Sequence, residues 1–142
     1  MLSRLRKFAD LGKADRTLLL RALLVVAAVR VGLWFFPFRF IREFAHRASE
    51  RSAAWRSASS RSIHRLISAV ETAARPIPAA TCLTQALAAQ ILLSRAGHRS
   101  TLRIGVLTTG GRFKAHAWLE HNGRIVIGDV PGINEFQTLP LI

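Results

Sequence analysis

The sequence predicts an α+β fold in which one helix packs on a small antiparallel sheet, with a basic helical region in front of it. Up to about residue 96 the apolar residues recur at helical spacing, whereas residues 101–129 alternate apolar and polar residues between turn signals. A chain of 142 residues has the length of one domain with a modest core. We therefore divide it into a helical region, 1–76, and a core, 77–142, within one continuous domain.

The charge of the chain is strongly positive and unevenly distributed. The net charge is +13, and residues 1–76 hold 15 basic and 5 acidic residues. Such an excess favours an anionic partner, either nucleic acid, a membrane surface or an acidic peptide. The sequence contains no zinc spacing, no recognition helix and no strand with interleaved basic and aromatic residues, so nucleic acid is not favoured. Arginines that only solvate helix faces are the alternative.

The most apolar segment begins at Asp15 or Thr17 as its N-cap and ends before Pro37. Arg21 and Arg30 leave uncharged runs of only eight residues, and a spanning helix needs about twenty. We therefore expect neither a transmembrane helix nor a signal peptide here. The two arginines lie on opposite sides of the helix, so it has no polar face, and we expect other elements or a partner to cover it.

Two more helices are predicted before the core. The first follows Pro37 and has a basic outer face, and a soft break at Ser57–Ser62 separates it from a helix over Ile63–Ala74. The prolines at 76 and 78 make a stiff link into the next element.

That next element is a helix with the single cysteine of the chain in its first turn. Thr81 is a suitable N-cap and Gly97 a suitable C′ residue, so the helix begins at Cys82. The free N–H groups and the helix dipole favour an anion at that position, and a thiolate is an anion. One apolar stripe is formed by Leu83, Leu87 and Ile91.

Strands follow in TLRIGVL and in FKAHAWLE and RIVIGD, with a turn at TTGG and a hairpin loop at Asn122-Gly123. Asn-Gly is the strongest short hairpin signal. A two-residue loop there predicts four opposed pairs, which are His121 with Arg124, Glu120 with Ile125, Trp118 with Ile127, and His116 with Asp129.

Opposed side chains lie about 4.5–5.5 Å apart at Cβ, close enough for Asp129 to bind the imidazole of His116. The pattern therefore predicts a catalytic triad: Cys82 attacks a carbonyl, His116 moves the proton, and Asp129 fixes the tautomer. Each residue alone has a simpler interpretation: a buried apolar cysteine, a sheet histidine and a residue of a turn. Their coincidence in one register favours catalysis, and a bulge at His121 to Arg124 would shift that register by one residue.

Weaker candidates surround the triad. Gln85, one turn after Cys82, could point toward an oxyanion, and Trp118 and Ile127 could form a wall of the site. The remaining histidines show no metal-ligand spacing, so we expect no metal. A single cysteine forms no intramolecular disulfide and fits a reducing compartment, which favours the cytoplasm.

The runs CLTQALAAQILLSRAGH, LRIGV and FKAHAWLEHNGRIVIGD resemble the transglutaminase-like cysteine peptidases of lasso-peptide biosynthesis, which remove the leader from a precursor peptide. The resemblance covers about residues 76–130. It implies a papain/transglutaminase-like core, no cofactor, and a triad in which the motif cysteine, the histidine of HAW and the aspartate after the next strand are Cys82, His116 and Asp129.

The resemblance also implies partners. Family members without a fused leader-recognition domain act with a separate small leader-binding protein and an ATP-dependent macrolactam cyclase, and the helical region here does not resemble that domain. We expect the leader or its carrier to dock on Arg16, Arg21 and Arg30, and membrane-surface contact is a further possibility.

Two other functions stay open: a transglutaminase or amidase with the same triad, and a non-catalytic scaffold that binds an acidic peptide or a membrane.

Overall fold

The computed structural model describes residues 12–53 and 63–140, together with residues 6, 9 and 10, and only the backbone of 48–53. The break predicted at Ser57–Ser62 lies outside the described residues. The elements are α1 (Lys13–Phe35), α2 (Phe38–Ala53), α3 (Ile63–Ala74), α4 (Cys82–Arg95), β1 (Thr101–Thr109), β2 (Arg112–His121), β3 (Arg124–Ile127), a 3₁₀ turn (Ile133–Glu135) and β4 (Gln137–Thr138).

The first helix begins earlier than predicted. It starts at Lys13 after Gly12, so Asp15 and Thr17 lie inside the helix instead of capping it. Thr17 donates its hydroxyl to the carbonyl of Lys13, and Asp15 forms an ion pair with Arg65 of α3. The acidic group therefore lies in the first turn, where it faces the positive end of the helix dipole.

The central element is α4, which packs against α1, α2 and α3 and also against the sheet. Every residue from 86 to 94 is buried, so the predicted apolar stripe is in fact a helix covered on all sides. The core cluster around it includes one face of α1, one face of α3 and a residue of α2, namely Leu18, Ala22, Val26, Val29, Leu66, Val70, Ala73 and Ala45.

Both predicted ends of α4 are confirmed. The hydroxyl of Thr81 accepts the backbone N–H of Thr84, which caps the first turn. At the other end Gly97 has φ +85°, its N–H donates to Ser94, and the N–H of His98 donates to Leu93. These two bonds form a Schellman motif and fix the point where the chain leaves the helix for the sheet.

Four antiparallel strands form the sheet in the order β3-β2-β1-β4. Two-residue loops connect β1 to β2 and β2 to β3, and both central residues of each loop have positive φ, as a type I′ turn requires. The tail, residues 131–142, has no secondary structure predicted from the sequence. In the structure this tail returns along β1, where Thr138 pairs with Gly105.

The two faces of the sheet are different. Ala117 and Leu119 of β2 join the core cluster around α4, whereas Trp118, between them, does not. Trp118 lies on the outer face with His116, and the residue directly across from His116 on β1 is Gly105. The helices therefore cover one face of the sheet, and the candidate histidine lies on the other.

Candidate active site

Cys82 is the first residue of α4, and its side chain is half-buried against the core cluster. The Thr81 cap holds the first helical turn, so the free N–H groups of that turn surround the start of the helix. This placement agrees with the prediction from the sequence. A thiolate formed at this position has the positive end of a 14-residue helix beside it.

His116 lies in the middle of β2 with its imidazole half-buried. Its Nε2 is 2.6 Å from the carbonyl oxygen of Gly128. A carbonyl oxygen can only accept, so Nε2 carries the proton and donates it, and Nδ1 keeps the lone pair. The backbone thus selects the tautomer in which Nδ1 is the base.

The predicted register is correct for two pairs and then fails. His121 opposes Arg124 and Glu120 opposes Ile125, but a bulge follows, and Ile127 opposes Leu119 instead of Trp118. The ladder ends at Ile127, so the predicted cross-strand pair of His116 with Asp129 is not formed.

Asp129 consequently lies elsewhere than expected. It is exposed, and among the described residues it makes no hydrogen bond or ion pair. The hydrogen bond expected between His116 and its carboxylate is made instead to the carbonyl of the preceding residue, Gly128. That residue has φ +87°, and a Cβ added to it would lie 2.7 Å from the carbonyl oxygen of Ala117. Only glycine allows the chain to approach β2 so closely.

Two aromatic rings enclose the imidazole. Trp118 stacks on His116 with ring centroids 6.2 Å apart, and Phe136 from the tail lies at 5.9 Å. Of the two predicted wall residues, Trp118 therefore does border the candidate site. Ile127 does not, because the bulge moves it to the face that packs in the core. Sequence analysis missed Phe136, since nothing in a short mixed tail marks a residue that folds back onto β1.

Gln85 lies half-buried one turn into α4, and its amide donates to the carbonyl of Ala80. This bond ties the helix to the loop that precedes Cys82. In that loop Ala79 has φ +56°, a strained conformation for a residue with a side chain. Strain of this kind, about 1–2 kcal/mol, is common beside functional residues.

The three arginines expected to dock a partner lie along α1. Arg21 is exposed and borders a groove of about 280 Å³ with Leu24 and Arg95. Arg16 is half-buried and donates to the carbonyl of Ala9. Arg30 is half-buried, and its guanidinium lies 4.8 Å from the centre of the Trp34 ring.

A groove of about 590 Å³ lies away from Cys82. It lies between α2, α4 and the start of β1, where Gln90 and Ser100 leave one buried oxygen each without a protein partner. No group of three or more potential metal ligands was found in the part of the chain that the structure describes.

A thiol at a helix start and a histidine on an antiparallel sheet are the residue types that acyl chemistry through cysteine uses. A family model described as the Transglutaminase-like superfamily matches residues 23–140. The chain belongs to this superfamily, which includes cysteine peptidases and acyltransferases. Searches of curated proteins and of solved structures found no match.

Proposed function

We propose that the chain is a cysteine peptidase that removes the leader from a lasso-peptide precursor in the cytoplasm. The observation that supports it most is the combination of Cys82 at a capped helix start with His116 in the tautomer that keeps Nδ1 as a base. The resemblance of the CLTQ, LRIGV and HAW segments to leader peptidases supplies the substrate. Superfamily membership supports the chemistry, and the substrate rests on the resemblance.

The proposed reaction has two halves. Nδ1 of His116 takes the thiol proton of Cys82, and the sulfur attacks the carbonyl carbon of the scissile peptide bond. The C–N bond breaks, the leaving amine takes the proton from the imidazolium, and a thioester remains. Water then gives a proton to Nδ1, its oxygen attacks the thioester, and the released sulfur recovers the proton. No metal or redox partner is needed for this balance.

The thiol of Cys82 and the imidazole of His116 make no hydrogen bond with each other in the structure. Catalytic hydrogen bonds are often long before substrate binds and shorten in the complex. The proposed reaction requires the thiol at the start of α4 and the imidazole on the outer face of the sheet to come within hydrogen-bond distance in the complex with substrate.

We assign Asp129 the role of stabilising the imidazolium from the position next to Gly128. The carbonyl of Gly128 orients the ring, but it carries no charge with which to offset a cation. An exposed carboxylate one residue further along is free to turn toward the ring when substrate excludes water. Under this assignment the carbonyl sets the geometry and the carboxylate supplies the charge.

Acyl transfer to an amine is the second candidate, because the superfamily includes acyltransferases that use the same thioester. The two reactions differ only in whether water or an amine attacks the intermediate. Product mass with and without added primary amine separates them. A scaffold that only binds a peptide or a membrane would need neither the thiol nor the imidazole.

The first experiment is cleavage of a precursor peptide by the purified chain with its leader-binding partner, followed by mass spectrometry. Cys82→Ala and His116→Ala should each abolish cleavage while the circular dichroism spectrum stays unchanged. Asp129→Asn should lower kcat by at least tenfold, because the imidazolium loses its counter-charge. Wild-type cleavage by Cys82→Ala would end the peptidase proposal, and wild-type kcat for Asp129→Asn would show that Asp129 does not stabilise the imidazolium.

The proposed partners are a separate small leader-binding protein and an ATP-dependent macrolactam cyclase. A tethered leader reaches an effective concentration of about millimolar, so we expect strong stimulation by the leader-binding protein. Arg21→Gln combined with Arg30→Gln should raise KM more than it lowers kcat, because surface charges act mainly on association. Arg112→Gln, an exposed arginine at the far end of β2, is the matched control. Equal KM values for the double variant and the control would exclude docking on α1.

A further inference from the structure

The outer surface of α1 and the start of α2 is apolar and uncovered. We call it the elbow surface, and it consists of Leu24, Val31, Trp34, Phe35, Phe36, Phe40 and Phe44. Each of these residues is between 50 and 75% exposed. A soluble monomer rarely leaves so many large apolar side chains together in water, and a patch of this kind marks an interaction site.

The elbow surface is continuous across Pro37. On α1 the residues at positions 20, 24, 28, 31 and 35 are exposed and lie on one face of the helix, and Trp34 is exposed beside them. Phe36 continues this face past the helix end, and Phe40 and Phe44 are one turn apart on α2. Gly32 brings the two helices close, because a Cβ there would lie 2.8 Å from Ile41.

The charge around this surface is of one sign. From Arg16 to Arg42 the chain contains five arginines and no acidic residue. Arg30 stacks on Trp34, so a cation lies at the edge of the aromatic rings. Tryptophan and arginine together are typical of the boundary between lipid headgroups and acyl chains.

We propose that the elbow surface binds the face of an anionic lipid bilayer, with the aromatic side chains inserted among the acyl chains and the arginines on the phosphates. Aromatic and aliphatic residues beside a basic rim are the composition of helices that lie in the membrane interface. The negative surface of such a membrane attracts a chain with a net charge of +13. The same positive charge repels a second copy of this chain and therefore disfavours a dimer formed through the elbow surface.

A spanning helix is the other way in which α1 could enter a membrane. It is the one helix among the described residues that is long and apolar enough to cross a bilayer. However, its opposite face, with Leu18, Ala22, Val26 and Val29, is buried in the core against α3 and α4. Lipid cannot surround a helix whose other face holds the domain together, so the orientation that fits is parallel to the membrane plane.

The test is co-sedimentation of the full chain with vesicles of phosphatidylcholine alone and of phosphatidylcholine with about a quarter phosphatidylglycerol. We expect binding to the anionic vesicles at 0.1 M salt and at least tenfold weaker binding to the neutral ones. Phe35→Ser combined with Phe44→Ser should weaken binding to anionic vesicles about tenfold or more. Phe113→Ser is the control, because Phe113 is equally exposed at the β1–β2 loop.

Quenching of Trp34 fluorescence by brominated lipids measures how deeply the Trp34 ring lies in the bilayer. The Trp34→Phe variant gives the fluorescence of the other two tryptophans, which is subtracted. Bromine near the headgroup should quench more than bromine near the chain end, and the reverse would overturn the proposed placement of Trp34 at the membrane interface. No binding to anionic vesicles, or equal loss in the double variant and the control, would also overturn it. A dimer that the double variant abolishes would assign the surface to a second copy. A monomer that binds no vesicles would assign it to a protein partner.

Discussion

The two hairpins of the sheet have loops of the same length and type but different ladders. Gly110-Gly111 and Asn122-Gly123 are both two-residue loops with positive φ at both positions. After the first loop nine pairs follow without interruption, whereas after the second only two form before a bulge. A loop therefore fixes the register next to itself, and packing further along the strand decides how far that register extends.

The bulge allows aliphatic side chains of β3 to be buried in the core. In an unbroken ladder Ile127 would oppose Trp118 and lie on the outer face with it. With the bulge, Ile127 opposes Leu119, and both Ile127 and Val126 pack against the core cluster. Burying an aliphatic side chain contributes about 1.5–3 kcal/mol, which exceeds the contribution of a ladder hydrogen bond, about 0.5–1.5 kcal/mol.

The same bulge produces the geometry of the candidate site. It ends the ladder at Ile127, so Gly128 is free to turn and place its carbonyl on the imidazole of His116. The first hairpin contributes Gly105 opposite His116, where the missing side chain leaves room for the ring of Trp118. One hairpin thus orients the histidine and the other makes space for its aromatic neighbour.

The largest effect is expected at Gly128. Gly128→Ala combines a strained left-handed conformation, about 1–2 kcal/mol, with a contact of 2.7 Å to a backbone oxygen. We expect a loss of about 2–4 kcal/mol in the free energy of unfolding, measured by urea denaturation. Gly110→Ala, at φ +57° with open space around it, is the control and should lose only the conformational part. Equal losses in the two variants would mean that close approach at Gly128 contributes nothing.

The next effect is expected at Gly105, which has ordinary strand dihedrals. A Cβ there would lie 2.8 Å from the Trp118 ring and 2.9 Å from Phe136, so Gly105→Ala should cost about 1–3 kcal/mol by overpacking. The displaced ring should also change the near-UV circular dichroism of the tryptophans and lower kcat for cleavage. An unchanged spectrum with full stability would show that the aromatic enclosure of His116 is loose.

Much of this arrangement could be predicted from the sequence because it depends on local signals. The α+β class, the start of α4 at Cys82 and both hairpin loops follow from caps, periodicity and turn residues. The predicted cap of α1 is wrong: the N-cap is Gly12, three residues before Asp15, and Asp15 lies in the first turn of the helix.

What could not be predicted depends on contacts distant in sequence. The bulge results from competition between the hydrogen bonds of the ladder and burial in the core. The residues of RIVIGD do not indicate which of them will be buried. The positions of Ile127, Asp129 and Phe136 all follow from that competition or from the return of the tail along β1. The only available signal was the glycine before Asp129, which in a strand often marks a bulge or a close approach.

A smaller effect tests whether the loops themselves are equivalent. Gly123 and Gly111 share φ +76° and have nothing within 4 Å of an added Cβ. Gly123→Ala and Gly111→Ala should therefore each lower the free energy of unfolding by about 1 kcal/mol, and by the same amount within about 0.5 kcal/mol. Thermal denaturation of both variants measures the difference. A clearly larger loss at Gly123 would mean that the second hairpin depends more on its loop because its ladder is short.

The smallest effect is expected at Glu120, the last regular pair before the bulge. Its carboxylate accepts from Nε1 of Trp118 at 3.0 Å and from Nε of Arg103 at 3.3 Å. Glu120→Gln keeps an acceptor for the indole and removes only the charge, and a partly exposed ion pair of this kind contributes about 0.2–1 kcal/mol. We expect a loss of about 0.5 kcal/mol in urea denaturation, similar to that of Glu43→Gln, which removes the exposed ion pair of α2 with Arg47. A loss above about 2 kcal/mol at Glu120 alone would show that this carboxylate, and not core burial, fixes the point at which the register changes.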